Sequence, residues 1–490
     1  MSALYAAFCA ACVSILKEVN QHVTEPYMDE PFHVPQAQAY CAGDFGYWDP
    51  KITTPLGLYI VSVILKRFFI VKCSLPHSAY PPSLLLLLPL ILTRLVAFHK
   101  RQHPPGWLNP TPEAVILAMH PLVFFYGFLY YTDVPSLFMV VTTIVLAQEE
   151  RHWLAALTGA LSCTFRQTNI IWVMYAYAAS QLTYLRYRRT GVRLYDPPVG
   201  EATMTSLPQA VLSLLSLLPD FVPAFLPYAF VLAGFGAFLV WNGGIVLGDK
   251  SNHTPALHVP QLYYLLAAAT VFSWPVLLRV RDLPRKVWHR MFGSVARILC
   301  TTTLCAIICV TINLYTIHHP FLLADNRHYT FYLWRRVILV HPVVKYLLAP
   351  AYLAMGWAWW VAVGDSEVIG GTEVSLLQTI LIPLAAAPTL LPAPLLEPRY
   401  FVVPLVLARA LLVGLGEGVA PGQGGGRKRV VVVGVGGEGG AAGGDKCPRD
   451  WLRLSPTASL VLEFSWYALI NAATLYVFVY LPRGEIRFMW

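Results

Sequence analysis

Long apolar runs recur along the whole chain and constrain its fold more than any other feature. We place them at residues 2–17, 57–71, 82–98, 112–131, 134–147, 168–185, 222–241, 262–279, 295–317, 344–363, 376–392, 400–415 and 460–481. Apolar runs of roughly 17–25 residues can cross a bilayer as helices, and lipid offers no partner to an unpaired backbone amide. The sequence therefore predicts an all-α polytopic membrane protein with about 12 transmembrane helices. We expect residues 1–490 to form a single membrane domain.

Composition excludes an ordinary soluble protein. Of the 490 residues, 57% are apolar and only 12% are charged, and the mean hydropathy is +0.56. A soluble domain carries about twice that charged fraction. The first run lacks a basic segment before it and a small-residue cleavage site after it, so we predict a retained span and not a secretory signal.

Acidic and basic residues are segregated along the chain. Between positions 21 and 52 lie five acids and the single base Lys51, net −4, in a chain whose net charge is +9. Basic residues gather at 186–193, 279–290 and 427–429, and such clusters mark the cytosolic side of a membrane protein. We therefore predict that residues 21–52 are the first lumenal loop. Basic residues lie on both sides of the early run 82–98, so they cannot all be cytosolic if that run crosses the membrane once. One early run is therefore expected to be a half-helix or to lie in the interface.

Two other features point to no cofactor. Residues 414–450 are glycine-rich and are predicted to form a disordered cytosolic loop. Their Gly434, Gly436 and Gly439 have G-x-G-x-x-G spacing, but no helix pattern follows, which argues against a nucleotide site. The nine cysteines are scattered without a CxxC or Cys/His cluster, so neither a zinc site nor a disulfide framework is predicted.

Asp29 and Glu30 are the first candidates for catalysis. A partly shielded carboxylate near the membrane surface can have a raised pKa and act as a general base toward an alcohol. The alternative is that an acidic pair at the start of a helix only complements the helix dipole.

Further polar groups open or close the other apolar runs. Asp133 could be a helix N-cap, whereas the polar residues 166–169 are costly at membrane depth unless they face a polar cavity. Lysine and histidines at 249–258, and the arginine and histidine at 325–328, suit an anion such as a phosphate. The charged residues at 397–400 could instead snorkel to the interface. Together these loops suit a substrate with sugar hydroxyls and a phosphate.

Several long motifs, in order, carry a family resemblance. They are YMDEPFHVPQAQAYC, WDPKITTPLGLY, YYTD, RQTNIIWV, WNGGIVLGDKSNH, LHVPQLYY, LADNRHYTFYLWRR, EPRYFVVP and the terminal IRFMW. The chain resembles the eukaryotic dolichyl-phosphate-glucose α-1,2-glucosyltransferases of asparagine-linked glycosylation. The resemblance runs from the first span to the last residue, sparing chiefly the glycine-rich insert and the loop near 195–207.

The resemblance implies a GT-C type glycosyltransferase in the endoplasmic reticulum membrane, multi-pass, with an active site facing the lumen. The donor would be dolichyl phosphate glucose, and the acceptor a diglucosylated high-mannose glycan on dolichyl pyrophosphate. Transfer would invert the anomeric centre and form an α-1,2 linkage. No metal or other cofactor is expected. The expected partners are the two lipid-linked substrates and the bilayer, with no nucleic acid.

Roles for residues follow from the same resemblance. Asp29 is the favoured base, with Glu30 close behind. The donor phosphate would be bound by four residues, namely Lys250, His253, Arg327 and His328. Sugar or acceptor contacts are expected from Tyr27, His33, Gln36, Asp49, Asp133, Arg166, Gln167, Asn169, Asp249, His258, Asp325, Asn326, Arg399 and Tyr400.

A transporter or channel is the main alternative from another class, because it would also have about a dozen spans and polar residues at membrane depth. A transporter places its site near the midplane at broken helices, whereas the charged residues here lie at the ends of runs. A noncatalytic scaffold would leave the grouping of polar loops unexplained.

Overall fold

The computed structural model describes residues 2–69, 80–251, 254–365, 374–413 and 454–490, and this part of the chain is helical apart from loops and isolated bridges. The first helices are α1 Ala3–His22, α2 Glu30–Ala42, α3 Gly57–Phe69, α4 Tyr80–His99, α5 Pro112–Ala118, α6 Pro121–Tyr126, α7 Asp133–Gln148, α8 His152–Cys163, α9 Asn169–Thr183, α10 Ser206–Ser216 and α11 Leu218–Phe221. The remaining helices are α12 Leu226–Asn242, α13 Pro260–Leu277, α14 Leu283–Phe292, α15 Val295–Tyr315, α16 Pro320–Ala324, α17 Tyr329–Leu333, α18 Val344–Leu347, α19 Ala349–Gly364, α20 Leu376–Leu390, α21 Val402–Leu411 and α22 Pro456–Tyr480.

Five helical segments are long and apolar enough to cross a bilayer. They are Ala3–His22, Leu218–Asn242, Val295–Tyr315, Val344–Gly364 and Pro456–Tyr480. Shorter apolar helices accompany them at Ser83–His99, Asp133–Gln148, Ser206–Ser216 and Leu376–Leu390. Large apolar side chains on the long segments, such as Phe230, Val240 and Leu299, are exposed, as expected for helices that face lipid. The prediction of an all-α membrane protein is confirmed for the described residues, and the number of spans remains a prediction.

One predicted span is broken. The apolar run 112–131 forms the short helices α5 and α6, which are separated by Met119 and His120, and residues 127–132 are irregular. Pro121 has no backbone N–H and disfavours helical backbone in the residue before it. The irregular segment is entirely buried, as backbone without helical pairing must be in a membrane protein.

The direction of each helix determines which loops meet. From α7 onward, the longer helices run alternately toward one end of the bundle and toward the other. The helices that start at the first of these ends are α7, α9, α13, α19 and α21. The helices that finish at the same end are α8, α12, α15, α20 and α22. Lys286 pairs with Asp365 at 3.3 Å and Arg189 pairs with Asp220 at 2.9 Å, both at one end. We call this the basic end, because it holds the clusters 186–193 and 279–290. Residues 21–52, which we call the acidic loop, and the other polar loops meet at the opposite end.

The basic end contains a buried ion pair between two helices. Both oxygens of Glu463 on α22 accept hydrogen bonds from Arg409 on α21, at 2.6 and 2.5 Å. The two side chains are at most 2% exposed. A two-point guanidinium–carboxylate contact fixes the relative orientation of the helices that carry it.

Candidate active site

A cavity of about 710 Å³ lies at the end of the bundle opposite the basic end. Polar residues from the acidic loop, from the starts of α7, α9 and α21, and from the loop after α15 line it. The charged and polar candidates on its wall are Asp29, His33, Asp133, Arg166, Gln167, Asn169, Asp325, Arg327, His328, Arg399 and Tyr400. Each of these residues was singled out by the sequence, and they come from five separate segments.

Asp29 forms part of the cavity wall just before α2. The preceding residue, Met28, has φ +61°, a strained backbone conformation for a non-glycine residue. The amide of Asp29 donates to the hydroxyl of Tyr131 at 3.2 Å, and Oδ2 accepts from Nη1 of Arg399 at 2.7 Å. Among the described residues no hydrogen bond uses Oδ1. Burial, the largest single influence, would raise the pKa of Asp29, but the charge and hydrogen bond of Arg399 and the neighbouring histidines together outweigh it, and the pKa is lowered.

Glu30 has a different environment from its neighbour. It is fully buried and does not line the cavity. Its Oε2 accepts from the amide of Tyr27 at 3.0 Å, and its Oε1 accepts from the amide of Tyr130 at 2.7 Å. Burial raises the pKa of Glu30 to about 7. The side chain therefore joins the acidic loop to the irregular segment before α7.

A second ion pair lines the cavity. Arg166 Nη2 donates to Asp133 Oδ1 at 2.7 Å, and the guanidinium of Arg166 lies 5.7 Å from the ring centre of Tyr400. Asp133 is the first residue of α7 and is not its N-cap, so the N-cap alternative was wrong. Its Oδ2 is buried and has no hydrogen-bond partner among the described residues. A buried carboxylate oxygen without a partner is costly, and a ligand hydroxyl would satisfy it.

Arg399 forms ion pairs with two carboxylates, those of Asp29 and Glu397. Besides Asp29, it contacts Glu397 through Nε, and its guanidinium lies 5.5 Å from the ring centre of Tyr131. Its side chain is only 19% exposed. Arg399 therefore faces the cavity and does not snorkel to the interface.

The loop between α16 and α17 supplies further cations to the cavity wall. Arg327 binds Asp325 with two hydrogen bonds, Nε to Oδ1 at 2.8 Å and Nη2 to Oδ2 at 2.7 Å. This contact leaves the Nη1 edge of the 40% exposed guanidinium available to an anion. His328 Nδ1 donates to the carbonyl of Trp490 at 2.7 Å, and its Nε2 lies 3.8 Å from Oδ2 of Asp325 on the same loop.

Three further wall residues hold neutral polar groups. His33 Nδ1 is 2.6 Å from the hydroxyl of Tyr59, and burial lowers the pKa of His33 to about 4, so it is neutral. Gln167 donates to the carbonyl of Thr53 at 2.7 Å, and Asn169 donates to Ser136 at 2.8 Å. These bonds fix the orientation of the three side chains on the cavity wall.

Eight candidates lie outside the cavity wall, namely Tyr27, Glu30, Gln36, Asp49, Asp249, Lys250, His258 and Asn326. Gln36 is buried and supports the acidic loop, because it donates to the carbonyl of Tyr47 at 2.7 Å and accepts from the amide of Asp49 at 2.9 Å. Lys250 donates to the carbonyl of Asn242 at 2.5 Å. His258 is fully buried and Asn326 is exposed. His253, the glycine motif at 434–439 and the loop 414–450 fall outside the described residues.

Lys51 is a cavity residue missing from the candidate list. The cavity wall holds four carboxylates and four permanently charged bases. The three arginines each pair with a carboxylate, whereas no carboxylate of the described residues pairs with Lys51, whose Nζ lies 4.7 Å from the ring centre of Phe32. The signal was present in the sequence, since Lys51 is the only base in the acidic loop.

Two observations concern metals and cysteines. Within the described ranges, no three His, Cys, Asp or Glu side chains come together as a metal site would require. Cys41 at the end of α2 is disulfide-bonded, which the scattered cysteines did not predict. Disulfides persist in oxidising compartments.

Chemically, the cavity combines two carboxylate oxygens without hydrogen-bond partners among the described residues, Asp29 Oδ1 and Asp133 Oδ2, with a set of fixed hydrogen-bonding groups and several cations. Such a site can accept a proton at Asp29 and stabilise an anion at Arg327. The polar groups that line the cavity come from helix ends and loops at one end of the bundle. This is the arrangement expected of a membrane transferase, and not of a transporter with a site at the midplane.

Comparisons with known proteins agree with one another. Residues 23–410 match the model of the DIE2/ALG10 family. Curated relatives named Dol-P-Glc:Glc(2)Man(9)GlcNAc(2)-PP-Dol alpha-1,2-glucosyltransferase include proteins from Mus musculus and Homo sapiens, each 31% identical over all of this chain and 98% of the relative. The relative of that name from Arabidopsis thaliana is 32% identical over 79% of this chain and 86% of its own length. No solved structure matches. The chain therefore belongs to the DIE2/ALG10 family.

Proposed function

We propose that this protein transfers glucose from dolichyl phosphate glucose to the terminal glucose of a diglucosylated, dolichyl-pyrophosphate-linked high-mannose oligosaccharide, forming an α-1,2 linkage. The observation that carries the proposal is a cavity whose wall holds Asp29 together with ion-paired arginines from distant segments of the chain. The names of the relatives support the choice of substrates, and the carboxylates and cations on the cavity wall support the proposed chemistry.

Asp29 is the proposed base. As the 2-hydroxyl oxygen of the acceptor glucose attacks C1 of the donor glucose, the bond from C1 to the phosphate oxygen breaks and dolichyl phosphate leaves. The hydroxyl proton passes to Oδ1 of Asp29, since Oδ2 is bound to Arg399. Attack from the side opposite the leaving group inverts the anomeric centre. A positioned base contributes about 10²–10⁴-fold to such a step.

Glu30 is proposed to position Asp29 and not to accept the proton. Its two oxygens are taken by the amides of Tyr27 and Tyr130. The first amide lies two residues before Asp29, so Glu30 limits the backbone conformations available to the base.

The departing phosphate is proposed to bind Arg327 and His328, with Lys51 as a third contact. Arg327 has free N–H groups beside its contact with Asp325, and Lys51 has no ion pair within the described chain. Charge-assisted hydrogen bonds to the leaving oxygen stabilise its developing charge. Dolichyl phosphate is already a good leaving group, so the proposed reaction has no step that needs a metal. Lys250 lies outside the wall and carries less weight.

Asp133, Arg166, Asn169 and Tyr400 are proposed to bind sugar hydroxyls. The strongest case is Asp133, whose buried Oδ2 has no partner among the described residues. A sugar hydroxyl would donate to it and remove the cost of that unsatisfied oxygen.

We further propose a GT-C type fold with about 12 transmembrane helices in the endoplasmic reticulum membrane, with the cavity open to the lumen. The position of the basic clusters at the opposite end supports this orientation. The disulfide at Cys41, which belongs to the acidic loop, supports an oxidising environment at the cavity end.

The proposal is tested with purified protein, dolichyl phosphate glucose and acceptors bearing one, two or three glucoses. We expect transfer to the diglucosylated acceptor alone, with an α-1,2-linked product. Transfer of a different sugar, or equal transfer to all three acceptors, would overturn it.

A further inference from the structure

The segment that follows α22 reaches both sides of the candidate site. Residues 483–490, which we call the α22 extension, reverse direction through paired backbone hydrogen bonds between Arg483 and Ile486 at 2.8 and 3.2 Å. Gly484, with φ +65°, occupies this turn. No residue of the extension lines the cavity. Its ending, IRFMW, was among the motifs of the sequence but has no role in the proposed chemistry.

The extension is firmly anchored to the helices. The Nη1 of Arg487 donates to the carbonyls of Phe478 and Val479 on α22, at 2.7 and 2.9 Å. Its Nη2 donates to the carbonyl of His22 on α1 at 2.7 Å. Met489 is 1% exposed. The guanidinium therefore joins the extension to the ends of two membrane helices.

One end of the extension contacts the side of the site that holds the base. The hydroxyl of Tyr27 donates to the carbonyl of Arg487 at 2.6 Å and accepts from its amide at 2.8 Å. Tyr27 lies two residues before Asp29, and its own amide donates to Glu30. A single hydroxyl thus links the extension to the backbone that carries Asp29.

The other end contacts the side that holds the cations. The amide of Met489 donates to the carbonyl of Arg327, and the amide of Tyr329 donates to the carbonyl of Met489, both at 2.9 Å. The carbonyl of Trp490 accepts from Nδ1 of His328 at 2.7 Å and from the hydroxyl of Tyr126 at 2.9 Å. These bonds fix the backbone of the loop that carries Arg327 and His328, which we call the cation loop, and they fix the ring orientation of His328.

We propose that the α22 extension is a positioning element, which sets the separation between Asp29 on one side of the cavity and Arg327 with His328 on the other. This inference rests on the proposed function, because it assigns the two sides to base and phosphate. Base and phosphate must act on the same sugar carbon, so their separation controls the rate. A misplacement of 1 Å at a distance from the chemistry can cost about 10²-fold.

Two hydroxyl deletions test the inference, one for each side. Tyr27→Phe removes both hydrogen bonds to Arg487 and keeps the ring against Phe478. Tyr126→Phe removes the second donor to the carbonyl of Trp490. Tyr480→Phe is the matched control, since its hydroxyl bonds to Glu18 at the same end of α22 but touches neither side of the site.

We expect Tyr27→Phe to lower kcat at least tenfold with donor KM within twofold, because it displaces the base. We expect Tyr126→Phe to raise donor KM at least fivefold, because it loosens the cation loop. Amide hydrogen exchange without substrates should rise at Arg487 in the first variant and at residues 327–329 in the second. Tyr480→Phe should match the wild type.

A purely structural role would lower the yield or the melting temperature and leave kcat and KM of the folded protein unchanged, and that result would overturn the inference. A kinetic loss in Tyr27→Phe without faster exchange at Arg487 would also overturn it, because it would place Tyr27 in direct contact with substrate. Failure of the proposed function is distinguishable, since the wild type itself would then transfer no glucose.

Discussion

At the scale of residues, the main question is which of two adjacent carboxylates, Asp29 or Glu30, is the base. Arg399 lowers the pKa of Asp29, whereas burial raises the pKa of Glu30 to about 7. A base must be deprotonated, so activity is lost as the pH falls through its pKa. If Asp29 is the base, it stays ionised throughout pH 5.5–8. If Glu30 were the base, kcat would fall about tenfold per unit below pH 7.

We therefore predict that Glu30→Gln keeps the shape of the wild-type pH profile, with kcat reduced by no more than about tenfold through looser positioning. The measurement is kcat at saturating substrates between pH 5.5 and 8 for both proteins. Loss of an acid limb near pH 7 in Glu30→Gln, together with loss of activity, would assign the proton transfer to Glu30.

The leaving-group side gives a second prediction at this scale. Arg327→Ala should lower kcat by about 10²–10³-fold, the usual cost of removing one donor to a developing anion. Acceptor binding should change little, because the guanidinium faces the phosphate in our proposal. Single-turnover transfer and acceptor binding measured side by side provide the comparison, and equal losses in both would contradict the role.

At the scale of elements, the ion pair between α21 and α22 predicts a large and specific effect on stability. Glu463→Gln leaves Arg409 buried without a charged partner, and breaking a buried pair costs about 3–5 kcal/mol. The half-exposed pair of Arg188 and Glu150 is a matched control, and Glu150→Gln should cost less than about 1 kcal/mol. Thermal unfolding in detergent measures both, and equal shifts would contradict the assignment.

The sequence predicted the elements where one kind of residue dominated. Apolar runs located α7, α13, α15 and α22 to within a few residues, because a helix in a membrane protein is apolar on most sides whether it faces lipid or the interior of the bundle. The amphipathic helix α14 was hidden inside the basic cluster 279–290, where charges interrupt the apolar pattern. Its buried Leu283 and Met291 are eight residues apart, two turns of one helix face.

The sequence predicted many of the residues that form the site, but it did not predict which carboxylate pairs with which arginine. Polar residues at the ends of apolar runs identified Asp29, Asp133, Arg166, Arg327 and Arg399 as candidates, because polar groups in such places need a reason to be there. Which carboxylate each arginine binds depends on helix packing. Asp29 and Arg399 are 370 positions apart, and no local pattern in a single sequence connects them.

At the scale of the whole molecule, the alternating helix directions place the cavity and its polar loops at one end of the bundle and the basic clusters at the other. We predict that a cysteine introduced at exposed Lys250 reacts with a membrane-impermeant maleimide only after the lumenal side of sealed microsomes is opened. A cysteine at exposed Arg285 should react without opening. Both experiments use a background without the other free cysteines, and the reverse pattern would contradict the lumenal orientation.

The most direct test of the account is single-turnover glucose transfer by the wild type and by Asp29→Asn, using dolichyl phosphate glucose and the diglucosylated acceptor. Asparagine keeps the size of the side chain and removes its capacity to take a proton. We predict a loss of about 10²–10⁴-fold with unchanged expression and melting temperature within a few degrees. An unchanged rate would contradict the assignment of Asp29 as the base and, with it, the proposed mechanism.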